Sequence, residues 1–230
     1  MAKTSVTPQQ ENAPRQRLVP VFSANKNLGE CSVTLALAKA AAARGETVLM
    51  IDCQDGELMD AAGIIYNKTL ADVFFRNAEM RDVKYVTSNE HFTAVAAGHM
   101  SLDILLGSLA ALSLDYDWVF VGTKSGCTPA HVQLAGAADT SLLCYDADTE
   151  KFMRAYWMIE AIRRRHPEYD PLLMSFGKTQ CANDTALMLM ETVKDFLGAP
   201  PPYIGHQSDP WVAPKTLLNM IDQAKFKKAA

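Results

Sequence analysis

Four short stretches hold the side chains best placed to do chemistry, and each lies directly behind an apolar run: Ser23 to Ser32 (SANKNLGECS), Asp52 to Gly56 (DCQDG), Gly122 to Gly126 (GTKSG) and Asp146 to Thr149 (DADT). The first is the richest. It sets a cation (Lys26), a glycine (Gly29), an acid (Glu30), a thiol (Cys31) and a hydroxyl (Ser32) at the head of an Ala-rich segment. A glycine loop that opens a helix can hold an anion, because its unpaired N–H groups and the helix dipole both face it. Other chemistries find no support. The five histidines, His91, His99, His131, His166 and His206, show neither HxxxH nor HExxH spacing, so a zinc hydrolase is not indicated. No GxSxG nucleophile elbow occurs, and no GxGxxG follows the first apolar run. Cys31, Cys53, Cys127, Cys144 and Cys181 are odd in number, widely spaced and without a CxxC pair. That pattern argues against a disulfide framework and a structural zinc, and for buried thiols in reducing cytoplasm.

The elements that must position these loops alternate. After Arg17 comes LVPVFSA, a run suited to a strand buried on both faces. A helix is expected over residues 32 to 44, rich in Ala and Leu, with Gly45 where a helix-ending glycine belongs. Further buried strands are expected at Thr47 to Asp52, Phe92 to Gly98, Asp117 to Gly122, Thr140 to Asp146 and Pro171 to Phe176. The clearest helices between them are Leu102 to Leu112, Glu150 to Arg165 and Asp184 to Gly198. Strands apolar throughout and separated by helices indicate an α/β domain, a single doubly wound, mostly parallel sheet with helices on both faces. Ligands of such sheets sit beyond the carboxyl ends of the strands, which is where the four stretches fall.

The order of segments resembles one family. SANKNLGECS followed by an Ala-rich helix and GETVLMIDCQDG is similar to the opening of the ParA/MinD P-loop ATPases (deviant Walker A type), whose first loop usually reads SGKGGVGKTT. LDYDWVFVGTKSG resembles their second strand and loop, yDyviiDtpaG, and FLGAPPPYIGHQSDPWV resembles fLgxxxlGxIPxDxxV. The resemblance runs from about Arg17 to Val212 and is strongest to the MinD relatives of the FlhG (FleN) type. It implies a P-loop NTPase fold, ATP with Mg²⁺ as the ordinary ligands, and a dimer that ATP joins face to face.

The chemical positions of that pattern are replaced. In register, Ala24 takes the first glycine, Asn25 the signature lysine, Lys26 and Asn27 the two following glycines, Glu30 the phosphate-binding lysine and Cys31 the Mg²⁺-binding threonine. Gly29 is retained, and Leu28 and Ser32 complete the vestigial loop. Gly122 stands where the family has the acid that holds the metal's water shell, and Gln54 where it has the second acid of DxD; Asp52 keeps the water-orienting position. Two unit charges 4 Å apart at an effective dielectric near 20 interact by roughly 4 kcal/mol, so exchanging lysine for glutamate moves phosphate binding by about twice that. Sulfur at Cys31 is soft where Mg²⁺ demands hard oxygen. No catalytic residue, metal or cofactor is therefore expected; Asp52 is vestigial, and ATP with Mg²⁺ enters only if the altered loop still binds.

Length and composition complete the expectation. The 230 residues are 49% hydrophobic with net charge −4, enough for one core and no field favouring polyanions, so a nucleic-acid partner is not expected. Residues 1–16 read as a polar disordered arm and 17–230 as one ParA/MinD-like domain, with no signal peptide or membrane span. Arg163, Arg164 and Arg165 either complement a helix C-terminus or form a basic patch. The tail KTLLNMIDQAKFKKAA, with Leu217, Leu218, Ile221 and Phe226, either docks on the domain or lies on anionic lipid as a peripheral contact. The expected function is a non-catalytic interaction and regulatory module, cytoplasmic or peripheral at the inner membrane or a cell pole. Its expected partner is a protein of an envelope or polar machine: flagellum, secretion system, pilus, cellulose synthase or division apparatus. The alternatives are a nucleotide switch using Lys26, Ser32 and Asp52, and a DNA- or membrane-surface adaptor. Without nucleotide, a homodimer would be constitutive, partner-driven or absent.

Overall fold

A computed structural model describes residues 17–228, with side chains through Gln223. The arm expected over 1–16 lies outside the described residues, as does the Phe226 side chain. In chain order the elements are β1 (Arg17–Ser23), α1 (Glu30–Ala42), β2 (Val48–Cys53), α2 (Glu57–Ala61), α3 (Leu70–Arg76), α4 (Met80–Val83), β3 (Tyr85–Val86), β4 (Phe92–Ala96) and α5 (Leu102–Ser113). There follow β5 (Trp118–Thr123), α6 (Pro129–Ala137), β6 (Leu142–Asp146), α7 (Met153–Arg163), β7 (Leu172–Phe176), α8 (Thr179–Leu197), β8 (Tyr203–His206) and α9 (Pro214–Lys228).

The strands form one sheet of order β3-β4-β2-β5-β1-β6-β7-β8, parallel except for β3, which pairs antiparallel with β4. Their runs are apolar throughout because helices cover both faces. On one face Leu105, Leu109, Leu134, Met158, Ile159, Ile162, Leu189 and Val193 of α5 to α8 pack on the sheet. On the other, Leu35, Leu37 and Ala38 of α1, Leu58 and Met59 of α2, and Leu217, Leu218 and Ile221 of α9 do so. The carboxyl ends of β1, β2 and β5 come together at the middle of the sheet, which brings the first three loops into one place.

Several boundaries differ from expectation for local reasons. The helix expected from Ser32 begins at Glu30, because Gly29 takes the left-handed conformation (φ 86°) that turns the chain into it. The helix expected from Asp184 starts five residues earlier, at Thr179, and that expected from Glu150 starts at Met153 after an irregular turn. Helices α2, α3 and α4 and the two-residue β3 are not among the expected elements: α2 and α4 are too short to show a period, whereas α3 does set Leu70, Val73 and Phe74 at helical spacing, a signal within only seven residues.

Candidate functional site

The loop between β1 and α1 is anchored at its start and exposed at its middle. Ala24 N–H donates to the Cys144 carbonyl at 2.8 Å, continuing the β1–β6 ladder. Asn25 is buried; its Oδ1 accepts from Asp146 N–H at 3.1 Å, and Ser23 Oγ donates to its carbonyl at 2.6 Å. The Asn25 amide is thus stitched to the end of β6. Lys26 and Asn27 are exposed, and Asn27 is left-handed at φ 58°. Ser32 Oγ donates to the Gly29 carbonyl at 2.7 Å, so its hydroxyl already closes the first turn of α1.

Glu30 does not turn outward. It is 6% exposed, and its Oε1 accepts from Gln54 Nε2 at 3.1 Å. The same nitrogen donates to the Thr123 carbonyl at 3.0 Å, while Gln54 Oε1 accepts from Cys31 Sγ at 3.0 Å. One carboxamide therefore ties the start of α1 to the ends of β2 and β5, with both its N–H groups and its carbonyl satisfied. A Cβ placed on Gly122 would lie 2.9 Å from Gln54 Oε1 and 3.0 Å from Leu58 Cδ2, so the space a side chain at 122 would need is filled. The Cys31 thiol is pushed up to about 12, first by burial and then by the charges of Glu30, Glu57 and Asp52, so it stays a neutral donor. The helix dipole at the start of α1 favours the acid at Glu30.

Asp52 is equally committed. Its Oδ1 accepts from Gln54 N–H at 2.6 Å, and its Oδ2 from Leu58 and Met59 N–H, each at 3.0 Å. It serves as an internal cap for α2 and is 1% exposed. The adjoining cleft, about 410 Å³, sets Lys26 and Lys124 against Glu30, Asp55 and Glu57. Lys124 Nζ is 2.6 Å from Asp55 Oδ2, so the cleft has no net positive field to offer.

These residues do not fit Mg·ATP. Glu30, where the resemblance implies a lysine, is a buried acid, the Cys31 thiol is spent on an amide, both oxygens of Asp52 are engaged, and Gly122 has no side chain. Among the described residues no group of three His, Cys, Asp or Glu side chains could hold a metal ion. Sequence reasoning singled out the replaced positions but missed Gln54 as the hub that joins them.

The remaining candidates separate. Arg163 is turned inward: its Nε donates to the Tyr169 carbonyl at 2.9 Å and its NH1 to the Ala199 carbonyl at 2.8 Å, which holds the ends of α7 and α8 together. Arg164 and Arg165 are exposed, so the three arginines do not form one patch. Leu217, Leu218 and Ile221 are 2%, 0% and 2% exposed against α1 and the sheet, and Arg44 NH2 donates to the Lys215 carbonyl and Asn219 Oδ1, each at 2.9 Å. No helix among the described residues is long and apolar enough to cross a membrane.

No family model and no curated protein matches the chain. Solved structures do match its fold. A MinC:MinD cell division protein complex of Aquifex aeolicus is 16% identical, covering 93% of this chain and 96% of that one, with a TM-score of 0.67. A ParA family ATPase of Chlorobium tepidum TLS is 13% identical over 94% and 96%, TM-score 0.63. A plasmid partition protein of Borrelia burgdorferi bound to AMPPNP is 15% identical over 93% and 99%, TM-score 0.63. The chain has the ParA/MinD-like P-loop NTPase fold over nearly its whole length.

Proposed function

We propose that the chain is a pseudo-ATPase of this fold, a protein-interaction and regulatory module in the positioning or assembly of an envelope or polar machine. One observation carries the reading: the Gln54 carboxamide joins Glu30, Cys31 and Thr123 over Gly122, filling the ground that phosphate and metal would need. Phosphoryl transfer relies on positioning and charge neutralisation, and here the cradle, the cation and the metal anchors are replaced together. The positioning role draws on the printed roles of the structural neighbours, cell division and plasmid partition.

The reading places the protein in the cytoplasm or peripherally at the inner membrane or a pole, with a protein partner that it meets without nucleotide. The nucleotide-switch alternative draws support from Lys26, which is exposed at the cleft, but Ser32 and Asp52 are already engaged. Titration with a fluorescent ATP analogue, with and without Mg²⁺, tests the choice. The expected result is no Mg²⁺-dependent binding and no phosphate release; Mg²⁺-dependent binding at micromolar concentration overturns the reading.

A further inference from the structure

Beside Ala24, and sharing no lining residue with the Glu30 cleft, lies a second hollow of about 290 Å³ lined by Ala24, Gly126, Cys127, Arg154, Trp157 and Met158. It falls just below the roughly 300–1,000 Å³ of small-molecule pockets, and its size suits one bulky side chain rather than a whole ligand. Trp157 is 57% exposed at its rim. Along α7 and its two ends, Lys151, Arg154, Arg164 and Arg165 recur with Trp157 at helical spacing, and all are exposed. Lys151 pairs with Asp146 at 3.0 Å and Arg164 with Glu160 at 2.8 Å, whereas Arg154 and Arg165 make no ion pair among the described residues. In a chain of net charge −4, Arg154 therefore sets an unpaired cation on the wall of the apolar socket, and the stripe continues from it past the end of α7 to Arg165.

We propose that this stripe and socket are a docking surface for a protein segment that carries acidic side chains around one bulky apolar residue. Trp and Arg around a pocket are the residue types that concentrate binding energy at protein interfaces. Charge complementarity selects an acidic partner. A membrane is disfavoured because the apolar face of α7 (Ala155, Met158, Ile159, Ile162) is buried, leaving Trp157 as its one large exposed apolar residue. A nucleic acid is disfavoured because Glu150 and Glu160 interrupt a short stripe on an acidic protein. The proposal rests on the reading of the chain as an interaction module and names the partner's chemistry.

The test selects a phage-displayed library of random dodecapeptides on the full chain, then measures a synthetic copy of the winning peptide. Acidic peptides with one aromatic or large aliphatic residue are expected. Their affinity should fall by about tenfold or more in Arg154→Glu/Arg165→Glu and in Trp157→Ala, and should weaken with salt. These side chains are exposed, and unchanged thermal unfolding verifies the variants. Failure to enrich peptides, enrichment of non-acidic ones, or binding indifferent to both variants overturns the proposal. So does stripe-dependent binding of a short DNA duplex or of phosphatidylglycerol vesicles in place of peptide. Phosphate release measured on the same samples with Mg·ATP tells the two readings apart: turnover overturns the pseudo-ATPase, whereas loss of stripe-dependent binding without turnover overturns this surface alone.

Discussion

At the scale of the residue, Glu30 is a structural acid. It sits at the start of α1, where the dipole favours a negative charge, and is held by Gln54. Glu30→Lys should therefore lower stability by about 1–3 kcal/mol, the cost of leaving buried hydrogen-bonding groups unsatisfied, and should restore no hydrolysis. Urea unfolding and a phosphate-release assay check the two halves, and turnover from that single change would contradict the account. His131 supplies a pH signature. Its Nδ1 lies 2.7 Å from Thr128 Oγ and 3.2 Å from Thr128 N–H, while Nε2 lies 3.0 Å from the Lys124 carbonyl. Burial lowers its pKa, partly offset by the bond to Lys124, so the folded protein favours the neutral ring and the unfolded chain binds the proton more readily. Its contribution is complete above the unfolded value of about 6.5 and is lost as pH falls through the lower folded value. His131→Gln should be less stable at neutral pH yet lose less between pH 7.5 and 5.5 than the parent, read from urea midpoints.

At the scale of the element, the lock is a joint between α1, β2 and β5. Gly122→Ala would press on Gln54 Oε1 and Leu58 Cδ2, which predicts destabilisation of about 1–3 kcal/mol. Gln54→Ala strands Glu30, Cys31 and the Thr123 carbonyl, at about 1–3 kcal/mol. In the double variant the clash with Gln54 disappears, so the sum should fall short of additivity by about 0.5 kcal/mol or more. Strict additivity in denaturant unfolding would remove Gln54 from the space above Gly122. Helix α9 makes a separate prediction: Leu218, fully buried, should cost about 2–5 kcal/mol when cut to alanine. Much of this scaffold was legible in the sequence, because strands buried on both faces write themselves as unbroken apolar runs, as VLMI of β2 does. The two-residue β3 was not, because Tyr85–Val86 is too short to show a period. That these positions depart from the pattern the sequence resembles is a comparison of sequences alone, and their mutual bonding is not visible in it. Gln54 reaches partners 24 and 69 residues away, and such distances carry no local signal.

At the scale of the whole molecule, the P-loop NTPase fold is complete, and on the proposed reading its nucleotide site is closed most directly by four of the departing positions, which sit on α1, on β5 and in the loop after β2. Glu30 and Cys31 lie on α1, Gln54 follows β2, and Gly122 lies in β5; they form one network, so their effects on binding cannot be independent. Reverting one position leaves the others occupying the ground, and a lysine at 30 would meet an amide that no longer has its acid. The combined variant Glu30→Lys/Cys31→Thr/Gln54→Asp/Gly122→Asp is expected to regain Mg²⁺-dependent ATP binding where no single change does. Linkage makes this visible without an activity assay, because a ligand at about a hundredfold over its Kd stabilises the folded state by about 2.7 kcal/mol. For a chain of 230 residues, where each kcal/mol moves Tm by about 2–4 °C, that is a rise of about 5–10 °C. The parent and the four single variants should show no shift with Mg·ATP, and a shift in the parent would mean that the network opens for nucleotide after all. If the combined variant folds but shows none, the block extends beyond these four side chains, to the loop that Asn25 stitches to β6.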